Sequence, residues 1–341
     1  MAYVVTEFLG DGISAELRRS VHTVLNALPV QFDVHPVDLS LESRTINGTQ
    51  IFDQAYESIS QTKYAIKYPT ITETESPNAI LRRLCQFSVI HRPVFSIPGV
   101  KSNFKQKVDL DIVRVATGGT YDDPGKMIGK NVAVSIRMVE RTPCEEAARF
   151  AFQLAKKVHK NVTSSSKYTI QRVTDGLFQT VINEVAQKFP EVEHRQELFD
   201  ALLAKIILFP ERYGVIIVLN EYGDFLSDMA CGLVGSIGIG GSGNYSFDEA
   251  GDVRLAMFDP AGGTAPDIAG KNLANPTAIF IALTLLFQEL GERQLSKALK
   301  GATLDSIEAG NATKDLGGNL TTTEFTERVV QETLKRLEHE Q

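Results

Sequence analysis

Short β-rich runs alternate with amphipathic helical segments along most of this chain. The first unit, AYVVTEFLGDGISAELRRSVHTVLNAL, passes from a β-rich run through a Gly-Asp-Gly turn into a segment with Leu17, Val21, Val24 and Leu25 at helical spacing. The apolar run YGVIIVLN is followed in the same way by the helical segment EYGDFLSDMACGL. Because parallel strands are joined by crossovers that are usually helices, this alternation predicts an α/β fold with a largely parallel sheet.

Composition and charge limit the partners of the protein. The chain has 341 residues, enough for one large or two medium domains, and its 43% hydrophobic and 23% charged residues are typical of a soluble globular protein. Its net charge is -7, and no run of Lys and Arg supplies the basic face that phosphate backbones require. We therefore expect small-molecule partners and other copies of the chain, and no nucleic acid.

The cysteines and the apolar runs predict a location. Cys85, Cys144 and Cys231 lie far apart and form neither a metal knuckle nor a disulfide framework, which favours a reducing compartment. No apolar stretch reaches the roughly 18 to 20 residues that a membrane span requires, and the first residues show no basic region or cleavage site. We therefore expect a cytoplasmic protein without a membrane partner.

Two segments carry patterns that need interpretation. The run GIGGSG, Gly238 to Gly243, matches the GxGxxG fingerprint, but a Rossmann site requires a helix that opens on the last glycine, and NYSFDEAGD is no such helix. We interpret this run as a glycine-rich loop and exclude a Rossmann fold. The segment KNVAVSIRMVER, 130 to 141, has the pattern of an exposed strand, and we expect it to form part of a β arm between two copies.

Asp224 and Asp228 follow the apolar run VIIVLN and project from one face of a helix, one turn apart. Carboxylates in this arrangement can share a hard cation such as Mg2+ or Mn2+. Acidic residues early in a helix also interact favourably with the helix dipole without any ligand, and the spacing alone leaves both interpretations open. Their position favours the metal, because ligands of parallel α/β sheets gather at the carboxyl ends of strands.

A second polar cluster lies in SPNAILRRLCQFSVIHRPV and the later DLDIVR. It comprises Ser76, Asn78, Arg82, Arg92 and Arg114. Guanidinium groups bind carboxylates through two parallel hydrogen bonds, so several arginines at a cleft suit a substrate with more than one carboxylate. An arginine taken singly is more often a surface or ion-pair residue, because most charged side chains are solvated.

From LGDGISAEL to DLGGNLTTTEF the chain resembles the isocitrate and 3-isopropylmalate dehydrogenase family of metal-dependent β-decarboxylating dehydrogenases. GDGISAE resembles the family's GDGIGPE, and KYPTITE resembles its KGPxxTP loop. The segment SPNAILR has the family's Ser-x-Asn-x3-Arg pattern and is followed, as in the family, by RPV. The segment GTAPDIAGKNLANP resembles the family's adenosine loop. The resemblance implies an isopropylmalate-dehydrogenase-like fold of two α/β domains. A large, adenosine-binding domain would comprise residues 1–100 and 253–341, and a small, dimerising domain residues 101–252.

The resemblance also implies an active site. Tyr121 would be the general acid and Lys167 the general base, and Ser76, Asn78, Arg82, Arg92 and Arg114 would bind the substrate's carboxylates. The residues that would hold Mg2+ or Mn2+ are Asp200, Asp224 and Asp228. The residues that would bind NAD are Lys67, Thr72, Gly263, Thr264, Ala265, Asp267, Ile268 and Asn275. Family residues that match Lys167 and Asp200 reach the neighbouring subunit's site, which implies a homodimer with shared active sites and leaves higher assembly open.

The implied reaction is the NAD-dependent oxidative decarboxylation of a 2-hydroxy acid that bears a 3-carboxylate. Ser76 and Asn78 favour an isocitrate-like substrate, and another 3-substituted malate is the alternative within this class. Asp267 can accept hydrogen bonds from both adenosine ribose hydroxyls and would repel a 2'-phosphate, which favours NAD over NADP. The alternative from another class is a non-catalytic or regulatory paralogue that binds substrate or nucleotide and partners an active subunit.

Three departures from the family pattern lie close to the implied site. RENTEG is replaced by RVATGG, so that Val115, Ala116 and Gly118 stand where the family has Glu, Asn and Glu. Gly262 stands where a histidine packs on adenine, and Thr169 stands where VHKxN has its asparagine. Because the implied acid, base and metal ligands remain, these departures predict altered handling of substrate or cofactor.

Overall fold

The computed structural model describes residues 2–73 and 75–339, in which strands and helices alternate as the sequence predicts. The strands of the described residues are β1 (Ala2–Leu9), β2 (Gln31–Asp38), β3 (Tyr64–Lys67), β4 (Val89–Phe95), β5 (Asp109–Val115), β6 (Lys126–Ile128), β7 (Val132–Val134), β8 (Val162–Ser166), β9 (His194–Leu198), β10 (Val215–Val218), β11 (Gly241–Phe247) and β12 (Val253–Pro260). The α-helices are α1 (Ser14–Ala27), α2 (Leu41–Asn47), α3 (Gln50–Thr62), α4 (Pro77–Cys85), α5 (Arg141–Val158), α6 (Thr174–Ala186), α7 (Phe199–Leu208), α8 (Asn220–Val234), α9 (Thr277–Glu289), α10 (Arg293–Glu308) and α11 (Thr322–His339).

Ten strands form one sheet in the order β2-β1-β3-β12-β11-β4-β5-β10-β8-β9. Neighbouring strands are parallel except at three central pairings, β12 with β11, β11 with β4 and β4 with β5, which are antiparallel. Strands β1, β2, β3, β12 and β4 therefore run in one direction, and β11, β5, β10, β8 and β9 run in the other. The predicted α/β fold with a largely parallel sheet is confirmed, and this strand order is not that of a Rossmann fold.

The hydrophobic core lies against both faces of the sheet. Every residue of β10 is buried, because helices cover the strand on both sides, and its sequence VIIV is accordingly apolar without alternation. Helix α9 is buried from Thr277 to Phe287 and packs against β11 and β12. No helix among the described residues is long and apolar enough to cross a bilayer.

The interpretation of GIGGSG as a loop is wrong for its second half, because Gly241 begins the central strand β11. A Cβ atom at Gly241 would lie 2.7 Å from the backbone nitrogen of Ala282 and 2.8 Å from the carbonyl oxygen of Ala278, both in α9. Glycine is required here for the close approach of a helix to a strand, and not for a turn. The short GxGxxG pattern does not distinguish these two uses of glycine.

The segment predicted to be an exposed strand contains β7, which pairs with β6 in a separate two-stranded hairpin. The large apolar side chains Met127, Ile128 and Val132 on this hairpin are between 52% and 59% exposed. Its function as an arm between two copies stays a prediction. The division of the chain into two domains also stays a prediction, since the sheet passes without interruption from β12 through β11 and β4 to β5.

Replacement of a core residue tests this architecture. We expect Ile217→Ala in β10, where the side chain is fully buried, to lower the free energy of unfolding by about 2–5 kcal/mol through lost burial and a cavity. Ile46→Ala is the matched control, because Ile46 is 74% exposed, and its effect should stay within about 0.5 kcal/mol. Urea denaturation followed by circular dichroism measures both, and equal effects would contradict the position of β10 in the core.

Candidate active site

Polar side chains occupy one face of the central strands, in the middle of an otherwise apolar sheet. Asn244 of β11 and Arg114 of β5 both lie directly opposite Ile90 of β4, so their side chains share a face. Arg92 lies two residues after Ile90, on the same face. Ser242, two residues before Asn244 and directly opposite Asp259, extends this face to β12.

A cavity of about 210 Å³ lies over this polar face. Its lining combines predicted substrate and cofactor residues with polar strand residues, namely Lys67, Thr70, Thr72, Ser76, Asn78, Arg82, Arg92, Ser242, Asn244, Asp259, Gly262 and Gly263. Three buried atoms at the cavity, Asn78 Oδ1, Arg82 Nε and Arg92 Nε, have no hydrogen-bond partner within the part of the chain that the structure describes. Since buried polar groups are almost always paired, the two arginine donors indicate a ligand with anionic acceptor groups, and Asn78 Oδ1 indicates that this ligand also carries a donor such as a hydroxyl.

The predicted general acid and two of the predicted metal ligands lie beside these arginines. Asp224 Oδ1 forms an ion pair with Arg114, and Asp224 Oδ2 accepts a hydrogen bond of 3.1 Å from the hydroxyl of Tyr121. Arg92 Nη1 donates to Asp228 Oδ1 at 3.0 Å and to Ser227 Oγ at 2.6 Å. The structure thus brings together Tyr121, two arginines and the aspartates from the first turns of α8.

Electrostatics within this cluster fix the protonation states. Burial opposes ionisation of Asp224, but Arg114 and Arg92 hold its pKa below the ordinary value. Burial, followed by repulsion from Arg82, lowers the pKa of Arg114 to about 9, so that the guanidinium is still charged at neutral pH. Burial and the neighbouring Asp224 raise the pKa of Tyr121, which keeps the phenol protonated and able to donate. Burial lowers the pKa of Lys67 to about 8.

Lys167 and Asp200 form a second, separate cluster. Lys167 follows β8, Asp200 lies in the first turn of α7, and their side chains meet at 2.7 Å, which lowers the pKa of Asp200. The side chains are 32% and 65% exposed. Within residues 2–73 and 75–339, no group of three Asp, Glu, His or Cys side chains could hold a metal, and no ion pair joins either residue to Asp224 or Asp228. A single copy of the chain therefore does not assemble the three predicted metal ligands.

The predicted adenosine loop is tied to the N-terminal Gly-Asp-Gly turn. The amide of Ile13 donates to the carbonyl of Thr264 at 3.0 Å, and Gly12, at φ +62°, lies so close to Thr264 that a Cβ would be 2.0 Å from its carbonyl oxygen. Asp11 accepts hydrogen bonds of 2.8 Å from the amides of Leu41 and Ile71, which holds the loop between Lys67 and Thr72. One turn therefore fixes two segments predicted to bind NAD.

The remaining residues of the adenosine loop have defined positions. Asp267 is exposed, and the amide of Ile268 donates to the carbonyl of Ala265 at 3.2 Å. The side-chain amide of Asn275 donates to Asp315 at 2.9 Å. Around both Gly262 and Gly263 an added Cβ would meet no described atom within 4 Å, so the loop leaves space above its backbone for a ligand.

Sequence reasoning missed Asp175, Arg137, Glu221, Ser242, Asn244 and Asp259, all of which are buried or nearly so and lie close to the predicted residues. The alternation of Ser242, Asn244 and Ser246 with other residues is a strand pattern that could have indicated a polar sheet face. No spacing signal marks Asp175 or Glu221, because their partners are distant in sequence.

The comparisons with known proteins agree with this fold. The structure is similar to the crystal structure of isocitrate dehydrogenase from Methylococcus capsulatus, with a TM-score of 0.89 and 29% identity over 98% of this chain and 99% of that chain. The fold is that of an isocitrate dehydrogenase. A model of the isocitrate/isopropylmalate dehydrogenase family matches residues 2–329, and the chain belongs to this family.

Two curated relatives cover nearly all of the chain. NAD isocitrate dehydrogenase subunit 2, mitochondrial, of Schizosaccharomyces pombe is 34% identical over 96% of this chain and 87% of that protein. A mitochondrial regulatory subunit of NAD isocitrate dehydrogenase from Dictyostelium discoideum is 33% identical over 98% of this chain and 92% of that protein. The expectation of a cytoplasmic location is wrong by this comparison, because both relatives are mitochondrial proteins. Free cysteines indicate a reducing environment but do not distinguish one reducing compartment from another.

Gly223 in α8 gives a sharp test of the arginine–aspartate cluster. A Cβ at Gly223 would lie 2.6 Å from both Cβ and Cγ of Arg114, so Gly223→Ala must displace α8 or Arg114. We expect substrate binding to weaken about 10- to 100-fold, because displacements near 1 Å have effects of this size. Gly232→Ala in the same helix is the control, since an added Cβ there meets no described atom within 4 Å. Calorimetric titration with isocitrate and Mn2+ measures both, and equal affinities would contradict the packing of α8 on Arg114.

Proposed function

We propose that the protein catalyses the NAD-dependent oxidative decarboxylation of an isocitrate-like 2-hydroxy acid that bears a 3-carboxylate. The observation that carries this proposal is the cluster of Arg82, Arg92 and Arg114 around Asp224 and Tyr121, in a chain whose relatives are NAD isocitrate dehydrogenase subunits. The arginines supply charge for the carboxylates of the substrate, and the unpartnered Nε atoms of Arg82 and Arg92 supply hydrogen bonds for them.

The donor set at the carboxylate cluster fits a hard divalent cation. Asp224 and Asp228 present carboxylate oxygens from adjacent turns of α8, and such oxygens are the ligands that Mg2+ and Mn2+ prefer. Asp200 is the third proposed ligand. When bound, Mg2+ or Mn2+ would act as a Lewis acid at the 2-hydroxyl and NAD would supply the hydride acceptor.

The loop above Gly262 and Gly263 fits a dinucleotide. Both positions leave open space, and Lys67, Thr70 and Thr72 face the same cavity. We propose that Thr264, Ala265, Asp267, Ile268 and Asn275 bind the adenosine half of NAD, with the carboxylate of Asp267 on the ribose hydroxyls. A 2'-phosphate there would meet a like charge, which favours NAD over NADP.

Tyr121 and Lys167 carry the proton transfers of the proposed reaction. Lys167 accepts the proton of the 2-hydroxyl as this carbon is oxidised to a ketone. After the 3-carboxylate has left as CO2, Tyr121 donates a proton to the carbon that carried it. The raised pKa of Tyr121 keeps this proton in place until that step.

We propose that two copies share each active site. Lys167 and Asp200 meet each other at the protein surface and do not meet Asp224 or Asp228 within one copy, as far as the described residues extend. Large apolar side chains lie exposed beside both clusters: Ile170 and Val173 follow Lys167, and Phe225 follows Asp224, with exposures of 70%, 84% and 59%. Exposed apolar side chains that lie together in a patch are typical of surfaces that another chain covers. A homodimer would join the two clusters, and a related subunit could do the same.

The strand directions support the proposed division into two domains. All strands of the main sheet from residues 1–100 and 253–341 run in one direction, and all those from residues 101–252 run in the other. The two sets meet in the central antiparallel pairings of β12, β11, β4 and β5. The proposed site lies over this junction.

Mixing two inactive variants tests the reaction and the shared site together. We expect the purified protein with isocitrate, NAD and Mn2+ to produce NADH, and Lys167→Ala and Asp224→Asn each to reduce kcat by at least about 100-fold through loss of the base or a metal ligand. If each site takes Lys167 from one copy and Asp224 from the other, mixed dimers contain one intact site and recover activity. Unfolding and refolding the two variants together, then following NADH absorbance, measures this recovery. A mixture as inactive as its parents would contradict the shared site.

A regulatory subunit is the second candidate function, because a relative at 33% identity is a regulatory subunit. This candidate predicts no NADH formation from any 2-hydroxy acid with Mn2+, and binding of acid or nucleotide without turnover. Turnover by the wild-type protein that Lys167→Ala abolishes would exclude it.

Gly262 tests the proposed adenosine site separately from the chemistry. The position has open space for a side chain, and the family pattern places a histidine there against adenine. We expect Gly262→His to lower the dissociation constant of NAD about tenfold, since base stacking on an aromatic ring contributes about 1–3 kcal/mol. Gly232→His is the control, because Gly232 also has open space and no positive φ but lies in α8, outside the loop. Calorimetric titration with NAD measures both, and unchanged affinity would contradict adenine binding at this loop.

A further inference from the structure

The run RVATGG lacks the glutamate that the family pattern has at position 118, and the structure shows another carboxylate beside this run. Gly118 and Gly119 both have φ of +72°. A Cβ at Gly119 would lie 2.0 Å from Oε2 of Glu221, and a Cβ at Gly118 would lie 2.7 Å from the carbonyl oxygen of Met138. The backbone of this run, which leads directly to Tyr121, therefore packs against the side chain of Glu221.

Glu221 is buried, with 5% of its surface exposed, and lies in the first turn of α8, three residues before Asp224. Its carboxylate forms an ion pair with Arg137. It accepts no hydrogen bond of ordinary geometry from the described residues. Interaction with the helix dipole would explain an exposed acidic residue here, but does not require burial against a glycine or an arginine partner.

Arg137 extends the contact to the second cluster of the proposed site. Its other terminal nitrogen, Nη2, pairs with Asp175 at 3.0 Å, and Asp175 is fully buried. Asp175 Oδ2 accepts a hydrogen bond of 2.7 Å from the backbone amide of Lys167 and one of 3.1 Å from the hydroxyl of Tyr222. One arginine thus joins two buried carboxylates, one against the Tyr121 loop and one on the backbone of Lys167.

We propose that Glu221 is a positioning residue of the proposed reaction. Glu221 holds the loop of Tyr121 in position by direct contact, and it holds the backbone of Lys167 in position through Arg137 and Asp175. The inference rests on the proposed function for the roles of Tyr121 and Lys167. The contacts themselves do not depend on it. Glu221 supplies from α8 the carboxylate that the RVATGG run does not supply from its own side chains.

Removal of the charge at Glu221 with its shape retained is the first test. In Glu221→Gln the partly buried Arg137 loses one of its two carboxylate partners. The contacts that fix segments 116–122 and 166–172 are therefore weaker. We expect the amides of Gly119 and Lys167 to exchange with solvent at least about tenfold faster, as local opening becomes easier. Hydrogen-exchange mass spectrometry with peptides covering 116–122 and 166–172 measures both segments.

Glu7→Gln is the matched control. Glu7 is also a buried carboxylate paired with an arginine, Arg18 at 2.8 Å, but it lies on β1, and its other partners, His22 and Tyr68, are outside segments 116–122 and 166–172. Loss of its charge should leave exchange at 116–122 and 166–172 unchanged. A structural effect common to all buried ion pairs would instead raise exchange in both variants.

Steady-state kinetics supply the second test. We expect Glu221→Gln to lower kcat about 10- to 100-fold, as misplacement of reacting groups does, while KM for isocitrate stays within about threefold. Glu221→Asp, which keeps the charge one methylene further back, should recover part of kcat. If Glu221→Gln does not fold, Glu221→Asp is compared with wild type in both measurements.

The outcomes separate this inference from the proposed function. Faster exchange only at 116–122 would overturn the link to Lys167, and unchanged exchange in both segments would overturn the whole inference. If the wild-type protein produces no NADH from any 2-hydroxy acid, the proposed function fails, and the exchange measurement still decides whether Glu221 positions the two segments.

Discussion

Burial of Arg114 is the constraint on which the centre of this structure depends. The guanidinium lies on the sheet face with 2% of the residue exposed, and a buried cation is stable only with partners that replace water. Asp224 provides the charge, and the side-chain oxygen of Asn220 accepts from Arg114 Nε at 2.9 Å. Helix α8 must therefore begin immediately after β10, and it can approach β5 only because residue 223 is glycine. The position of the proposed metal ligands follows from satisfying one arginine.

The two strand directions explain where a ligand can reach this arginine. The antiparallel pairings at the centre of the sheet bring residues from opposed sets of strands into one row of polar side chains. Asp259 accepts hydrogen bonds from Ser242 and Asn244, so these three side chains of the cavity lining are paired with one another. Asn78, Arg82 and Arg92 keep unpartnered buried atoms among the described residues. The unpartnered polar atoms at this cavity, which are free to bind a ligand, therefore lie on α4 and β4. The Gly-Asp-Gly turn holds the two loops that border this region.

Sequence patterns predicted those parts of the fold that local periodicity determines. The spacing of apolar residues predicts the VIIV strand and the helical segments. The order of strand and helix along the chain predicts that Asp224 lies at the carboxyl end of a strand. β11 was missed because glycine, serine and asparagine are loop-type residues, and only the packing of α9 explains their use in a strand. The contacts among Glu221, Arg137 and Asp175 depend on distant segments meeting, which no local pattern records. The location was missed because composition carries no information that separates reducing compartments.

The separation of Lys167 from Asp224 changes what the departures from the family pattern mean. If one chain supplied a complete site, loss of the glutamate at 118 would alter only local contacts with substrate. Under the proposed sharing of active sites, Lys167 would serve another copy or another subunit, so the geometry within one chain would have to relate two half-sites that are separate among the described residues. Asp175 and Arg137 lie between them, Tyr222 stacks on Phe199 at a centroid distance of 4.4 Å, and Phe199 precedes Asp200. Helix α8 therefore contacts residues that hold both half-sites in place. A carboxylate on α8 can affect both half-sites, whereas a carboxylate at position 118 would affect only one.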